Sequence, residues 1–452
     1  MTFGIGPTGS PAQVAALQQQ LAANPADRIA RHNLAVELRK CGRPDEALAQ
    51  IEQVWNEGLK LAETATMRGH LLADAGRFDE ALEAYREAVR VKPELIEPHS
   101  TMASLLPQLG RGGEALDSLR QALLRAPHVG ALWVEALSIA RGHQAWDALL
   151  EIAAQAEQRF GIDTMISGFV ATALSALGRD DEALARIDAA LEQEPTYPPA
   201  HTIRAHILLR KGDPARAAAA AEMAARLLPK DQSSWALLGI AWRLLDDERE
   251  HWLCDYDNLV MPIDLGLDPR LLGVLEARHQ LAAHPADQSL RGGTQTRGNL
   301  FEADDPVIGG LARATKAAIE QRIASLQPDP AHPFLGRLTG SVSFPTSWSV
   351  RLASSGFHIS HIHPAGWLSS AYYVSLPPEV VAGEGQGALA FGVPDAALGL
   401  DLTPRRVVQP QEGHLVLFPS YLWHGTTKFE SRAPRVTVAF DSLPVDNSGQ
   451  PV

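Results

Sequence analysis

The strongest constraint on this chain is a spacing. Glycines recur at Gly42, Gly76, Gly110, Gly178 and Gly212, separated by 34 residues or, across one gap, by twice 34. Four of them open near-copies of one phrase: GRPDEAL, GRFDEAL, GRGGEAL and GRDDEAL. At position 144 glutamine replaces the glycine, but QAWDALL keeps the aromatic, acidic and aliphatic pattern. Prolines hold phase 17 residues after the glycine, at Pro93, Pro127, Pro195 and Pro229, and small residues at Ala88, Ala122, Ala190 and Ala224. Glycine ends the first helix of a pair, where a left-handed cap is cheapest without a side chain. Alanine sits where two helices approach closely, and proline starts the next pair. Pro25 extends the frame one repeat upstream and predicts a separate leading helix over residues 11–23.

This frame resembles the tetratricopeptide repeat, whose period is 34. It covers roughly residues 10–245, about six repeats. The resemblance implies an N-terminal all-α solenoid, assigned to residues 1–246, whose concave face holds a peptide or protein. Self-association into a homo-oligomer and a passive scaffold are the rival uses. No repeat shows an obvious basic clamp, so the sequence does not name the ligand.

Composition narrows the setting. A chain of 452 residues with 45% hydrophobic and 21% charged residues has room for two or three globular domains. Its formal charge of -13 argues against a nucleic-acid or anionic-membrane binder. The two cysteines, Cys41 and Cys254, exclude a disulfide framework and suit a reducing compartment. The opening MTFGIGPTGSPAQV lacks a basic region and a long apolar core, so no signal peptide is expected. No apolar stretch approaches the roughly 20 residues of a membrane helix. The expected location is cytoplasmic.

The repeat frame dissolves after Leu245. An irregular segment, HWLCDYDNLVMPIDLGLDPR, leads to two helical stretches around residues 270–283 and 305–325, separated by the Gly-rich SLRGGTQTRGNLF. From about residue 340 short alternating runs follow: SVSFPTSWSVRL, WLSSAYYVSLP, GALAFGV, RRVVQPQEG, HLVLFPSYLWH and PRVTVAFDSL. Strands at this spacing predict a sandwich or barrel. The expected class is multidomain α + β, with residues 247–452 forming a double-stranded β-helix (jelly roll) behind leading helices.

Within it, His361-Ile362-His363-Pro364 is followed by His424 and then by Arg435. His-x-His puts two imidazoles on one side of an extended segment, and Pro364 stops the ladder behind them. A third histidine at a later strand end completes a three-point metal grip. Neutral imidazole suits iron, zinc, copper and nickel alike. Arg435, one strand beyond, is placed to hold a carboxylate-bearing cosubstrate.

The segments HIHPAGWLSSAYYVSLP, GHLVLFPSYLWHGT and RAPRVTVAFD resemble the 2-oxoglutarate- and Fe(II)-dependent oxygenases of the prolyl-hydroxylase-like superfamily. The resemblance spans about residues 250–452 and implies Fe(II) held by His361, His363 and His424. It implies 2-oxoglutarate as cosubstrate, its distal carboxylate on Arg435 and Thr437, dioxygen at the remaining position, and hydroxylation of a C–H bond. Strand parity from the histidines turns Ser369, Ala371 and Tyr373 inward, which makes Tyr373 the better cosubstrate contact of the Tyr372–Tyr373 pair and adds Ser369 to the candidates. One departure stands out: His363 occupies the place where the superfamily usually has a carboxylate. A three-histidine site also suits a cupin-type metalloenzyme without a keto acid, although Pro364-Ala365-Gly366-Trp367-Leu368 lacks the glutamate that cupins place there. A non-enzymatic repeat adaptor with a degenerate or structural metal barrel is the other alternative.

Blander roles compete for individual residues. His358 is an alternative ligand or a supporting histidine, and Arg432 is the rival anchor. Arg405 and Arg406 read as a solvated strand face. Trp348, Trp367 and Trp423 read as core or pocket walls. Gln295 and Thr296 are placed at the entrance, and His284 is assigned a structural role in a turn.

Overall fold

The structure is a computed structural model that describes residues 9–279, 289–296, 298–383, 385–446 and 448–452, except for the side chains of residues 354 and 355. His284 and the last residues of the helix expected over 270–283 lie outside the described residues, as does most of the opening segment. The chain divides into two compact units, Met1–Gln144 and Ala145–Val452.

The first unit is helical. The leading helix spans Pro11–Ala23, capped by the Ser10 side chain on the Gln13 N–H. Antiparallel pairs follow, such as Ala62–Asp74 with Phe78–Val91. At each repeat glycine the chain turns left-handed, with φ from 72° to 78°, and Gln144 is forced into the same region at 55°. The turn is closed by paired bonds: Gly76 N–H to Ala73 O and Arg77 N–H to Leu72 O, at 3.1 and 2.8 Å. This arrangement satisfies carbonyls that a helix end leaves open.

A second periodic device ties side chains to the proline turns. Arg31, His99, Trp133, His201 and Trp235 each donate an N–H to the carbonyl of the proline six residues earlier, at 2.6 to 3.0 Å. The two turns without proline, at Leu59 and Gly161, are followed six residues later by Ala65 and Ser167, which carry no such N–H. The third repeat departs in another way. Its Gly112-Gly113 pair has low helix propensity, and the helix opens as a 3-10 turn over Gly112–Glu114 before Asp117–Arg125.

The second unit begins with six further repeat helices, from Trp146–Phe160 to Gln232–Leu244. Among the described residues nine strands follow: β1 Met261–Asp264, β2 Leu290–Gln295, β3 Ser341–His358, β4 Leu368–Ser375, β5 Leu389–Phe391, β6 Arg406–Val408, β7 His414–Pro419, β8 His424–Thr426 and β9 Arg435–Val445. They form two antiparallel sheets, ordered β1-β7-β4-β9-β3-β2 and β6-β5-β8, in the expected jelly-roll arrangement. The helix expected over 305–325 is Pro306–Ile323, capped by Asp305. One hydrophobic core runs from Ala205 and Leu208 in the repeat helices through Trp242 to Tyr373, Phe418 and Phe440 in the sheets.

Three expectations need correction. The irregular segment after the repeats contains β1, an edge strand paired with β7. The Gly-rich separator contains β2, paired with β3. A Cβ at Gly293 would lie 2.4 Å from the Arg351 carbonyl, so glycine is what lets these backbones approach. Finally, Arg405 is solvent-exposed as expected but Arg406 is half-buried, so the two do not form one solvated face. Arg405 pairs with Glu250 at 2.6 Å, and Arg406 donates to the carbonyls of Tyr256 and Asp257.

Candidate metal centre

His361 and His363 lie between β3 and β4, outside both strands, where residue 361 forms an isolated bridge with His424 at the start of β8. The amides of His361 and His424 each donate to the other's carbonyl, at 2.9 and 3.0 Å, and the His363 amide donates to Ser420 O at 3.0 Å. These bonds bring one ring nitrogen of each histidine within 4.8 Å of the other two.

The orientation of each ring is fixed from behind. His361 Nδ1 lies 2.8 Å from the Ile359 carbonyl and His424 Nδ1 lies 2.9 Å from the Leu422 carbonyl. His363 Nδ1 lies 2.7 Å from Asp441 Oδ1. A nitrogen facing an oxygen acceptor carries the proton, so all three Nε2 atoms are left with lone pairs. His361 Nε2 and His363 Nε2 stand only 3.2 Å apart. Two lone pairs at that distance repel, and a shared proton or a cation relieves the contact. Burial first, and then the neighbouring rings, push the His361 pKa down to about 3 and that of His424 well below its usual value. Their neutral forms are the ones that bind a metal.

Behind His363 lies the carboxylate of Asp441. Asp441 and His363 are both largely buried, with side-chain exposures of 16% and 15%. Asp441 also accepts from Ser369 Oγ at 2.7 Å, and Ser369 Oγ lies 2.8 Å from Ser420 Oγ. Burial works to raise the Asp441 pKa, but the His363 ring and the Ser369 hydroxyl outweigh it and hold the carboxyl below its ordinary value. Trp348 stacks on His363 with ring centroids 6.0 Å apart.

Beside this cluster lies a buried cation. Arg435 is 3% exposed, and its Nε and Nη1 have no hydrogen-bond partner. Its guanidinium stands 5.2 Å from the ring centroid of Tyr373, whose hydroxyl is also unpartnered. Burial raises the Tyr373 pKa against the pull of the Arg435 charge, and burial lowers that of Arg435. Thr437 is buried two residues along β9, opposite Tyr373 in register. Tyr372 faces elsewhere and donates to the Gly266 carbonyl. Buried donors without acceptors are costly, and a guanidinium fork fits a carboxylate.

Residues 346–441 match the family model described as "Putative 2OG-Fe(II) oxygenase". The matched segment includes the three histidines, Arg435 and Asp441. Residues 9–103 match a model for a tetratricopeptide repeat-like domain, and residues 171–232 match one for a tetratricopeptide repeat. No curated protein matches the chain. Similar solved structures include a tetratricopeptide repeat protein from Parabacteroides merdae, at 18% identity over 50% of this chain and 90% of that one, with a TM-score of 0.33. Another is YrrB, described as a TPR protein with an unusual peptide-binding site, at 18% identity over 49% of this chain and 96% of that one, with a TM-score of 0.28.

Within the matched segment, the structure brings His361, His363 and His424 together and sets Arg435, Tyr373 and Thr437 beside one another. Ser369 is committed to Asp441 and Ser420. His358 Nδ1 bonds Ser289 Oγ, which also lies 3.2 Å from His361 Nε2. Arg432 is exposed. Thr296 exchanges bonds with the Ser349 backbone, while Trp367 donates to the Phe334 carbonyl from the core. Asp441 was missed from sequence. Parity along β9 was the available signal, since residues 435, 437 and 441 fall on one face.

Proposed function

We propose that this protein is an Fe(II)- and 2-oxoglutarate-dependent dioxygenase that hydroxylates a side chain of a peptide or protein recruited by its repeats. The observation that carries the proposal is the pairing of three converging imidazole nitrogens with a buried guanidinium two of whose nitrogens, Nε and Nη1, lack a hydrogen-bond partner. The first calls for a cation and the second for a carboxylate. In this reading His361, His363 and His424 hold the metal through Nε2, while Arg435, Thr437 and the Tyr373 hydroxyl bind the far carboxylate of the cosubstrate. Fe(II) bound with 2-oxoglutarate and dioxygen supplies oxidative decarboxylation to succinate and carbon dioxide, coupled to C–H hydroxylation. The chain's own groups orient and insulate. Ile359, Leu422 and Asp441 fix the three rings, and the burial of Arg435 and Tyr373 keeps water from competing for the carboxylate. The repeats raise the local concentration of a tethered substrate.

Anaerobic addition of Fe(II) and 2-oxoglutarate tests the reading. A weak absorption band near roughly 500–530 nm and succinate release on admitting oxygen are expected. Absence of both overturns it. Metal binding with no response to 2-oxoglutarate would move the site to the cupin-type alternative.

A further inference from the structure

The three histidines sit on segments with little ladder support of their own. Residues 361–363 belong to no strand and β8 is three residues long, so their placement depends on what lies behind them. What lies behind them is the last repeat helix, Gln232–Leu244. Its first-turn amide at Gln232, which has no partner within the helix, donates to the Pro364 carbonyl at 3.0 Å, one residue after His363. In the second turn the Ala236 carbonyl accepts the indole N–H of Trp423 at 3.1 Å, one residue before His424. At the far end Arg243 donates to the carbonyls of Gly392 and Thr403, at 2.7 and 2.8 Å. The Gly392 amide in turn donates to the Trp423 carbonyl at 2.9 Å, closing a loop of bonds around that tryptophan. Residues 236–242 of the helix are all buried. Ala236 and Gly239 line a small cavity together with Tyr421, Leu422 and Trp423, and Gly239 packs against Cys254.

We infer that Trp423 is a positioning residue for the histidine cluster, and that helix Gln232–Leu244 is as much a part of the site's frame as of the repeat array. Trp423 touches no ligand atom directly. It acts by fixing the backbone that sets where the His424 ring points, and its neighbour across the bridge, His361, moves with it. A ligand misplaced by a fraction of an ångström binds metal less well, which is why outer contacts of this kind typically govern tenfold or more in affinity. The inference rests on the proposed metal site only for its metal-binding consequence.

The test uses the full chain and compares Trp423→Phe with Trp235→Phe. Both variants lose one indole N–H bond to a carbonyl; that of Trp235 goes to Pro229, inside the repeat, at 3.0 Å. Hydrogen exchange of metal-free protein is expected to be about tenfold faster in peptides covering 361–364 and 420–426 for Trp423→Phe, and unchanged there for Trp235→Phe. Anaerobic Co(II) titration is expected to show about tenfold weaker binding for Trp423→Phe with altered ligand-field intensity, and wild-type behaviour for Trp235→Phe. A folded Trp423→Phe with wild-type exchange in those peptides overturns the inference. If Trp423→Phe does not fold, Arg243→Met loosens the other end of the same helix, and wild-type exchange there overturns the inference equally. Faster exchange in a protein whose wild type takes no Co(II) would sink the metal reading and leave the tether standing.

Discussion

At the scale of single residues, the proposed site turns on where the negative charge sits: in that reading His363 would stand in a ligand carboxylate's place, and Asp441 lies directly behind it, 2.7 Å from its Nδ1. Removing that charge while keeping an acceptor, by Asp441→Asn, is expected to weaken metal binding about 10- to 100-fold. An anaerobic Co(II) titration measures it, and an unchanged affinity would show the contact to be structural only. Arg435→Ala is expected to weaken 2-oxoglutarate binding about 10- to 100-fold with metal affinity nearly intact, read by the 2-oxoglutarate dependence of the visible band. Equal loss of both would assign Arg435 a folding role. The histidines and Arg435 were legible because their chemistry is concentrated in short phrases. Asp441 was not, because a carboxylate six residues after Arg435 has meaning only once β9 is known to run straight through both positions.

At the scale of elements, the repeat array and its leading helix were readable from the sequence. Most boundaries are marked by a local device, a glycine turn or a proline, that needs no distant partner. The short strands were not. Neither MPID nor LRGGTQ has strand propensity to speak of, and both become strands because a neighbouring edge recruits them. The repeat devices make a direct test. Gln144 adopts φ 55°, where the equivalent positions carry glycine. Gln144→Gly is expected to stabilise the fold by about 0.5–1 kcal/mol by removing left-handed strain, measured by chemical denaturation. A destabilised variant would mean that the glutamine side chain makes contacts worth more than the strain.

At the scale of the whole chain, no helix among the described residues is long and apolar enough to cross a membrane. Stability is expected to depend on pH through half-buried neutral histidines. Burial, aided by the nearby Arg210 charge, pushes the His206 pKa from 6.5 down to about 4, with Asp395 and Asp180 opposing the shift. Burial with Arg351 nearby does the same to His279. A depressed pKa means that the folded chain stays neutral while the unfolded chain takes up protons below pH 6.5. Stability therefore falls as the pH drops from 6.5 to about 4, by at most about 1.4 kcal/mol per unit for each histidine. Thermal melts across that window should show the decline, and His206→Leu should flatten it. An unchanged slope would remove His206 from the account.

The unbroken core from Ala205 to Phe440 also bears on how such a gene can change. Repeats of 34 residues are easily gained or lost by duplication, because each carries its own turn and most carry their own proline lock. The last one is different. A recombination event that carried only the residues after 246 to a new neighbour would move three histidines without the helix behind them. Loss of the final repeat is therefore expected to disturb the histidine cluster in a way that loss of an earlier repeat does not.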